Sequence, residues 1–205
     1  MEKVPVSDVL RVLVALETCD APKYAERRRL VENTWAKRLP LCFNFEVFTG
    51  HRLGVPDDYS SLCRKTKAIA EYASRYEYDW LLKVDDDVFV RTDRLLLPLC
   101  NYAGLLLNDR KEKWCSGGFY WLNRRAMGIV ARAPFNPDIA SSAEDRWVSW
   151  ALRQEGITPR QYDVAIKPCY CGYCVPEEEP IDWTAYIIDP QYSAKKFLEF
   201  EAMYG

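Results

Sequence analysis

Residues 80–90 read WLLKVDDDVFV, an apolar run interrupted by three consecutive aspartates. The residues before the aspartates are typical of a buried strand, because strands covered on both faces carry nearly continuous apolar runs. Three adjacent carboxylates repel one another, so this arrangement is unfavourable unless a cation or a donor-rich ligand binds there. The stretch therefore predicts a ligand site at the carboxyl end of a strand in an α/β sheet.

The rest of the chain alternates short apolar segments with amphipathic ones. Strands are predicted over residues 9–16, 43–48, 78–84, 115–122, 163–167 and 185–188. Helices are predicted over residues 24–35, 60–76, 124–133, 144–154 and 193–203, with one more that begins at Asp93 and holds Leu95, Leu96 and Leu99. Asp20 is expected to cap the first helix, and residues 50–59 are expected to form a loop. This order predicts an α/β fold with a mainly parallel central sheet flanked by helices.

Composition and charge narrow the classes of function. The chain has 205 residues, of which 49% are hydrophobic and 14% aromatic, so a disordered or coiled-coil protein is excluded. Its 28 basic and 30 acidic residues nearly cancel, whereas a general nucleic-acid binder is usually strongly basic. The single histidine, His51, excludes chemistry that needs a pair of histidines. No apolar run reaches about 18 residues and no export signal is recognised, so a cytoplasmic protein without a transmembrane segment is expected.

Eight cysteines indicate thiols or a metal site rather than disulfides, because no export signal accompanies them. Cys169, Cys171 and Cys174 are close in sequence, and with a fourth ligand they would form a structural zinc site. Reduced thiols on a loop, or a strained local disulfide, are the alternatives. The others fall in predicted elements and are expected to be small core residues: Cys19, Cys42, Cys63, Cys100 and Cys115.

The aspartate triplet suits a hard divalent cation. Mg²⁺ and Mn²⁺ prefer oxygen ligands, and Mg²⁺ is usually held by few carboxylates together with substrate phosphates. A nucleoside diphosphate would complete such a shell around Asp85, Asp86 and Asp87. The alternative interpretation is a solvated acidic turn, which the apolar residues on both sides of the triplet disfavour.

Two further segments are candidates for chemistry. Glu144 and Asp145 stand at the start of a predicted helix, where acidic residues are favourable for electrostatic reasons alone. The chemical interpretation is that one of them is a general base for an attacking hydroxyl group. Gly117 and Gly118 interrupt a predicted strand, which indicates either a bulge or the close approach of a ligand or another backbone.

Taken in order, these segments resemble glycosyltransferase family 31, the β-1,3-galactosyl-, N-acetylglucosaminyl- and Fringe-type transferases. The resemblance extends from about Val9 to Phe200. Five segments carry it: RRRLVENTW at 27–35; Asp57, Tyr59, Leu62, Lys65 and Thr66; WLLKVDDDVFV at 80–90; CSGGFYWL at 115–122; and EDRWV at 144–148 with Gly156 and Ile157.

The resemblance implies a GT-A fold that uses Mn²⁺ or Mg²⁺ to bind a UDP-sugar. Asp87 would be the metal ligand of a DXD-type motif, and Asp145 would be the base of an inverting transfer. The family's C-terminal metal-ligand histidine has no counterpart here, and Asp189 stands in its place. The residues that the resemblance assigns to donor binding are Ala15, Glu17, Arg28, Lys65, Asp85, Asp86, Gly117 and Gly118.

The sequence departs from the family pattern in two further ways: at two motif positions and in the expected location of the protein. Glu32 and Phe119 stand where the family has an arginine and a glycine. The family's Golgi anchor has no counterpart in this sequence, so a soluble enzyme of viral or bacterial origin is expected. The expected organisation is one domain over residues 1–205, with a nucleotide-sugar half over about 8–92 and an acceptor-side half over about 93–205.

The sequence therefore predicts a metal-dependent inverting hexosyltransferase whose acceptor is a hydroxyl group of a glycan, a protein or a modified nucleobase. Nucleic acid is not the favoured acceptor, because the net charge is close to zero. Two alternatives stay open. One is a two-metal phosphoesterase or nuclease built on the same carboxylates, and the other is an inactive relative that binds glycans or nucleotides.

Overall fold

Nine strands form two sheets in a computed structural model that describes residues 10–109, 111–166, 183–188 and 193–204. The strands are β1 (Val12–Glu17), β2 (Phe43–Phe48), β3 (Trp80–Asp85), β4 (Val88–Val90), β5 (Tyr102–Asn108), β6 (Lys113–Asn123), β7 (Arg160–Gln161), β8 (Val164–Ile166) and β9 (Ala185–Ile187). The helices are α1 (Pro22–Asn33), α2 (Gly50–Leu53), α3 (Leu62–Arg75), α4 (Arg124–Arg132), α5 (Glu144–Gln154) and α6 (Ser193–Tyr204).

The central sheet has six strands in the order β2-β1-β3-β6-β5-β7. Strand β1 is parallel to both β2 and β3, and β7 is parallel to β5, whereas β6 is antiparallel to β3 and β5. A smaller sheet, in the order β4-β9-β8, begins directly after the aspartate triplet. The α/β class and the mostly parallel central sheet flanked by helices are thus as the sequence predicts.

Residues of β1 alternate between two hydrophobic cores, because successive side chains of a strand point to opposite faces. Val12, Val14 and Leu16 pack with residues of α1, α6 and the smaller sheet. Leu13 and Ala15 pack on the other face with residues of α3, α4 and α5. Buried apolar residues on both faces make β1 and β3 a rigid base for the side chains that follow at their carboxyl ends.

The helix predicted to begin at Asp93 does not form. A single 3₁₀ turn covers Thr92–Arg94, and Leu95 after it is already extended. Pro98 explains the difference, because a proline disfavours the helical conformation of the residue before it and removes a backbone donor. Of the leucines in this segment, Leu96 and Leu99 are exposed, whereas Leu95 is partly buried against the core.

Strand β5 is absent from the sequence-based prediction because its leucine-rich segment, Tyr102–Asn108, does not alternate polar and apolar residues. Strand β5 is held in the sheet by its long antiparallel pairing with β6, a strand that the sequence did predict. Residues 50–59 are not entirely loop either. They include the short helix α2, capped by the Thr49 hydroxyl, which accepts a hydrogen bond from the Arg52 N–H.

Two smaller expectations are also corrected. Ala21, not Asp20, is the N-cap of α1, and no side chain caps that helix. Cys42 is exposed and Cys19 and Cys100 are only partly buried, so only Cys63 and Cys115 are the buried core residues expected. None of the described helices has the length and the apolar character needed to span a bilayer.

Candidate active site

A cleft of about 550 Å³ opens at the carboxyl ends of β1 and β3. Parallel strands that end side by side place the residues after them at one edge of the sheet, which is where ligands bind in open α/β folds. The Gly117-Gly118 segment of β6 and the first turn of α5 complete the walls. The predicted site residues that line this cleft are Glu17, Lys65, Asp85, Asp86, Asp87, Gly117, Gly118 and Asp145.

Two of the residues expected at the donor site lie outside the cleft. Ala15 is fully buried in the core between β1 and α3, two residues short of the end of the strand. Arg28 points away and pairs with Asp20 at 3.7 Å on the surface. Its neighbour Arg27 lines the cleft instead and pairs with Asp86 at 3.5 Å. Arg27 and Arg28 point in different directions because successive residues of a helix are rotated by about 100° about its axis.

The three aspartates of the triplet have different surroundings. Asp86 is buried, accepts a hydrogen bond from the Thr18 hydroxyl and pairs with Arg27. Asp85 contacts the ammonium group of Lys83. Asp87 is half-buried, and none of the described side chains donates a hydrogen bond to its carboxylate. Its carboxylate is therefore the member of the triplet that is best placed to bind something from outside the chain.

The electrostatics of Asp87 indicate a site that a cation would complete. Burial, together with the charges of Asp85 and Asp86, raises the pKa of Asp87 to about 8. Burial likewise raises the pKa of Asp86. A divalent cation would offset this repulsion and favour the ionised form. Within the described ranges no three acidic, cysteine or histidine side chains converge into a metal site on their own. Carboxylate oxygens such as those of Asp87 are ligands that Mg²⁺ and Mn²⁺ prefer, and Mg²⁺ is usually held by few carboxylates together with substrate phosphates.

The remaining metal candidates lie outside the described residues. These are Asp189 and the proposed zinc ligands Cys169, Cys171 and Cys174. The residue before Asp189 is described, and its position bears on the site. The Ile188 N–H donates a hydrogen bond to the carbonyl oxygen of Asp87 at 2.8 Å, continuing the antiparallel pairing of β4 with β9.

Lys83 is a fully buried lysine at the centre of a charged network behind the cleft. By strand alternation it faces α3 and α5 rather than the other core. Its ammonium group donates to the Gly117 carbonyl at 2.7 Å and lies 3.3 Å from Glu144 and 3.4 Å from Glu17. Burial alone would lower the pKa of Lys83, but the surrounding carboxylates raise it well above its usual value. A buried ammonium group here holds β1, β3, β6 and α5 together.

Glu144 belongs to this network and does not cap its helix. The N-cap of α5 is Ala143, without a side-chain hydrogen bond. The buried Glu144 carboxylate faces Lys83 through one oxygen and accepts from the Tyr120 hydroxyl at 3.2 Å through the other. Burial raises the pKa of Glu144 to about 8, although the charge of Lys83 opposes the shift. Glu144 therefore connects α5 to the sheet, while the next residue, Asp145, faces the cleft.

The close approach predicted at Gly117 is explained by Glu144. A Cβ atom added at Gly117 would lie 2.6 Å from Glu144 Oε1, which faces Lys83, while Tyr120 holds the other oxygen of the same carboxylate. We expect Gly117→Ala to lower the free energy of unfolding by about 1–3 kcal/mol, as overpacking does. Chemical denaturation of the wild type and the variant measures this change.

Gly128→Ala is the control for that experiment. The added Cβ in α4 would meet only the end of the flexible Arg132 side chain, at 3.2 Å. Alanine also favours a helix more than glycine does, so this variant should be at least as stable as the wild type. Equal stability of Gly117→Ala and the wild type would show that Glu144 is free to move.

Asp145 is held by two donors in the first turn of α5. The Arg146 N–H donates to Asp145 Oδ1 at 2.8 Å, and the indole N–H of Trp114 donates to Oδ2 at 3.1 Å. Burial raises the pKa of Asp145, while the Arg146 N–H, the charge of Lys83 and the Trp114 N–H lower it. The carboxylate is thus oriented at the cleft with lone pairs that remain able to accept a proton.

Lys65 joins the two loops on the other side of the cleft. Its ammonium group donates to the Thr18 carbonyl at 2.8 Å and to Asp57 Oδ1 at 3.1 Å, and it lies 3.3 Å from the Cys19 sulfur. Asp57 in turn accepts from the Gly50 N–H at 2.8 Å. Burial would lower the pKa of Lys65, but the carboxylates of Glu17 and Asp57 raise it. Lys65 is therefore a fixed positive charge at the cleft.

Sequence reasoning did not assign Arg27, Thr18 and Trp114 to the site. Arg27 belongs to a motif that carried the family resemblance, so its signal was present and only the choice within the arginine run was wrong. Thr18 follows β1 directly, where strand ends meet the ligand edge of the sheet. Trp114 gave no signal, because its contact with Asp145 joins residues 31 positions apart in the chain.

The fold resembles that of a known viral enzyme. A crystal structure described as a glycosyltransferase involved in the glycosylation of the major capsid of PBCV-1 superposes with a TM-score of 0.59 at 13% sequence identity. The alignment covers 92% of this chain and 99% of that one. A structure of A197 from STIV aligns less well, with a TM-score of 0.41 and 10% identity over 75% of this chain and 82% of that one.

The sequence itself matches neither a family model nor a curated protein. The chain therefore has the fold of a glycosyltransferase of solved structure, and the resemblance to family 31 stays a prediction from its motifs.

Proposed function

We propose that this protein is a metal-dependent inverting glycosyltransferase, which transfers a hexose from a UDP-sugar to a hydroxyl acceptor. One observation carries the proposal. A single cleft joins the Asp85–Asp87 triplet, the basic side chains Arg27 and Lys65, and the oriented carboxylate Asp145. It lies at the ligand edge of a sheet whose fold is shared with a glycosyltransferase.

The donor end of the cleft suits a diphosphate. Arg27 and Lys65 are cationic side chains held in place by Asp86 and Asp57, so they present fixed positive charge without needing to reorganise. Asp87 would hold the cation, and a bound Mn²⁺ or Mg²⁺ supplies further charge that stabilises the departing diphosphate. Glu17 and Asp85 are tied to Lys83 and would keep the end of β1 and the triplet aligned.

The acceptor end of the cleft is assigned to Asp145. In the proposed reaction the acceptor oxygen forms a bond to the anomeric carbon while the bond from that carbon to the diphosphate oxygen breaks. The hydroxyl proton passes to an Asp145 oxygen, and the UDP leaves with the electron pair of the broken bond. A base on the acceptor side of the anomeric carbon gives inversion of configuration.

The proposal is tested by calorimetry followed by turnover. UDP should bind measurably more tightly with Mn²⁺ than without it. UDP-galactose, UDP-glucose and UDP-N-acetylglucosamine are then incubated with pools of glycan, protein and nucleobase acceptors, and the products are identified by mass spectrometry. A mass gain of one hexose or N-acetylhexosamine, dependent on metal, is the expected result. Absence of both UDP binding and sugar transfer would refute the proposal.

Carboxylates that line the same cleft could also serve a two-metal phosphoesterase. The same protein is therefore also tested on a phosphodiester substrate without a nucleotide sugar. Cleavage there, together with no transfer from UDP-sugars, would favour that alternative over the glycosyltransferase.

Asp189 is proposed as a second metal ligand, because the residue before it hydrogen-bonds to the backbone of Asp87. We expect Asp189→Ala to raise the Mn²⁺ concentration needed for half-maximal activity, and Asp189→His to retain part of the activity, since imidazole also binds Mn²⁺. Metal titrations of activity measure both. Asp93→Ala is the control, because Asp93 pairs with Arg91 at the surface. An unchanged metal requirement in Asp189→Ala would contradict the assignment.

A further inference from the structure

Trp114 lies in the cleft and contacts Asp145. The proposed reaction does not explain this contact. Trp114 lies in β6 with 1% of its surface exposed, and its indole N–H donates to Asp145 Oδ2 at 3.1 Å. The other oxygen accepts from the Arg146 N–H at 2.8 Å. Each carboxylate oxygen thus has one donor from a fixed element, which restricts the rotation of the carboxylate.

The indole ring is itself held in place. The Arg146 guanidinium lies over the ring of Trp114, 4.2 Å from its centroid, a cation–π contact. Arg146 is in turn paired with Asp109 at 3.2 Å and with Glu112 at 3.8 Å, in the turn between β5 and β6. The turn, the guanidinium and the indole therefore form a continuous support that ends at Asp145.

We propose that Trp114 is a positioning residue for the general base, fixing the Asp145 carboxylate in the orientation that receives the acceptor proton. This inference rests on the proposed function, in which Asp145 is the base. A neutral donor such as the indole N–H orients the carboxylate and leaves its negative charge in place. A lysine or arginine in contact with Asp145 would neutralise that charge. The indole N–H is not transferred, so the acceptor proton goes to a lone pair that Trp114 leaves open.

The test removes the donor and keeps an aromatic side chain. Trp114→Phe should lower kcat for UDP-sugar turnover about tenfold or more, the size expected for losing a hydrogen bond to a charged group. The affinity for UDP with Mn²⁺ should not change, because Trp114 acts only through Asp145. The acid limb of the kcat–pH profile should move to higher pH, because losing a donor to the ionised form raises the pKa of the base.

Other charged and titratable groups act on Asp145 and remain in the variant. Lys83 and the Arg146 side chain favour its ionised form, and Glu144 lies next to it in the chain. Cys63 and Cys115 also face it, and their thiols have raised pKa values because they are buried. Among these groups, the Arg146 guanidinium contacts the Trp114 ring directly, so a shift of the profile reports the lost indole donor only if an analogue that keeps the shape of the ring reproduces it.

Trp147→Phe is the matched control. Trp147 is equally buried, lies in the same turn of α5 as Asp145, and donates its indole N–H to the Pro134 carbonyl at 3.0 Å. This variant loses a comparable hydrogen bond outside the cleft, so its kcat and pH profile should stay at wild-type values. Equal kcat and pH effects in the two variants would overturn the positioning role of Trp114.

Two further measurements test the role of the Trp114 N–H without depending on a change in folding or on a known substrate. Replacing Trp114 with 3-benzothienylalanine removes the N–H while preserving the shape of the ring, and it should reproduce the effect of Trp114→Phe. Titration of Asp145 by ¹³C NMR should show its pKa rising in either variant, whether or not a substrate is known. An unchanged Asp145 pKa would overturn the inference.

A double variant completes the cycle. If Trp114 acts through the base, adding Trp114→Phe to Asp145→Asn should lower kcat no further. A further tenfold loss in the double variant would show that Trp114 acts elsewhere. Full activity of Asp145→Asn alone would instead refute the proposed base. If Trp114→Phe still lowers kcat when Asp145 is already Asn, the inference about Trp114 is refuted as well.

Discussion

Asp87→Ala is expected to remove the whole Mn²⁺-dependent part of UDP binding. Asp87 is the triplet member with no described side-chain donor, so it is the carboxylate available to a cation. Its pKa of about 8 shows that burial and its acidic neighbours disfavour its charge when no cation is bound. Without this ligand, calorimetry should give the same UDP affinity in the presence and in the absence of Mn²⁺.

The same substitution should not weaken the fold. Removing a half-buried carboxylate that lies beside two other acidic side chains relieves an unfavourable interaction, so the ligand-free variant should be at least as stable as the wild type in chemical denaturation. Asp138→Ala, at an exposed position outside the cleft, serves as the control and should alter neither measurement. Retention of the Mn²⁺ effect in Asp87→Ala would refute the metal assignment, whereas loss of the fold would mean that Asp87 is structural.

The positions of the main strands could be predicted because their signals are local. Residues 80–90 combine a buried strand with an acidic end, and the structure has β3, the triplet and β4 in that order. The cleft follows from the same logic, because adjacent parallel strands end at one edge. Local patterns therefore predicted that the triplet lies at this edge, whereas the expectation that Lys65, Gly117, Gly118 and Asp145 join it came from the family resemblance.

Predictions failed where a distant partner or a single residue decides the structure. Strand β5 depends on its pairing with β6, and the segment after Asp93 is kept from forming a helix by Pro98. The choice between Arg27 and Arg28 depends on the rotation of α1 about its axis, which a run of three arginines does not reveal. The Lys83 network joins four elements, and no sequence spacing signals it.

The burial of Lys83 also explains why two adjacent acidic residues have different roles. Glu144 points inward to Lys83 and Tyr120, and its burial raises its pKa although the charge of Lys83 opposes the shift. Asp145 faces the cleft and accepts two hydrogen bonds that favour its ionised form. A buried carboxyl group tied to the Lys83 network and an oriented carboxylate at the cleft thus stand side by side, which is why the second residue is the proposed base.

This assignment predicts opposite outcomes for two conservative variants. Asp145→Asn removes the proton acceptor and should lower kcat by about 10²–10⁴-fold, the range for a positioned general base. Binding of UDP with Mn²⁺ should change little, because the proposed base acts at the acceptor end of the cleft. Glu144→Gln resembles the protonated form of that residue and can keep the hydrogen bond from Tyr120, so it should retain most of the turnover.

Kinetics and calorimetry on both variants decide between the two carboxylates. If Asp145→Asn keeps nearly wild-type turnover while Glu144→Gln is inactive, the base is Glu144 and the buried network must open during catalysis. If both variants stay active, no carboxylate of this helix takes the proton, and the inverting mechanism fails for this chain. The expected pattern, an inactive Asn variant that binds UDP normally beside an active Gln variant, requires Asp145 to act on the acceptor and Glu144 to act on the fold.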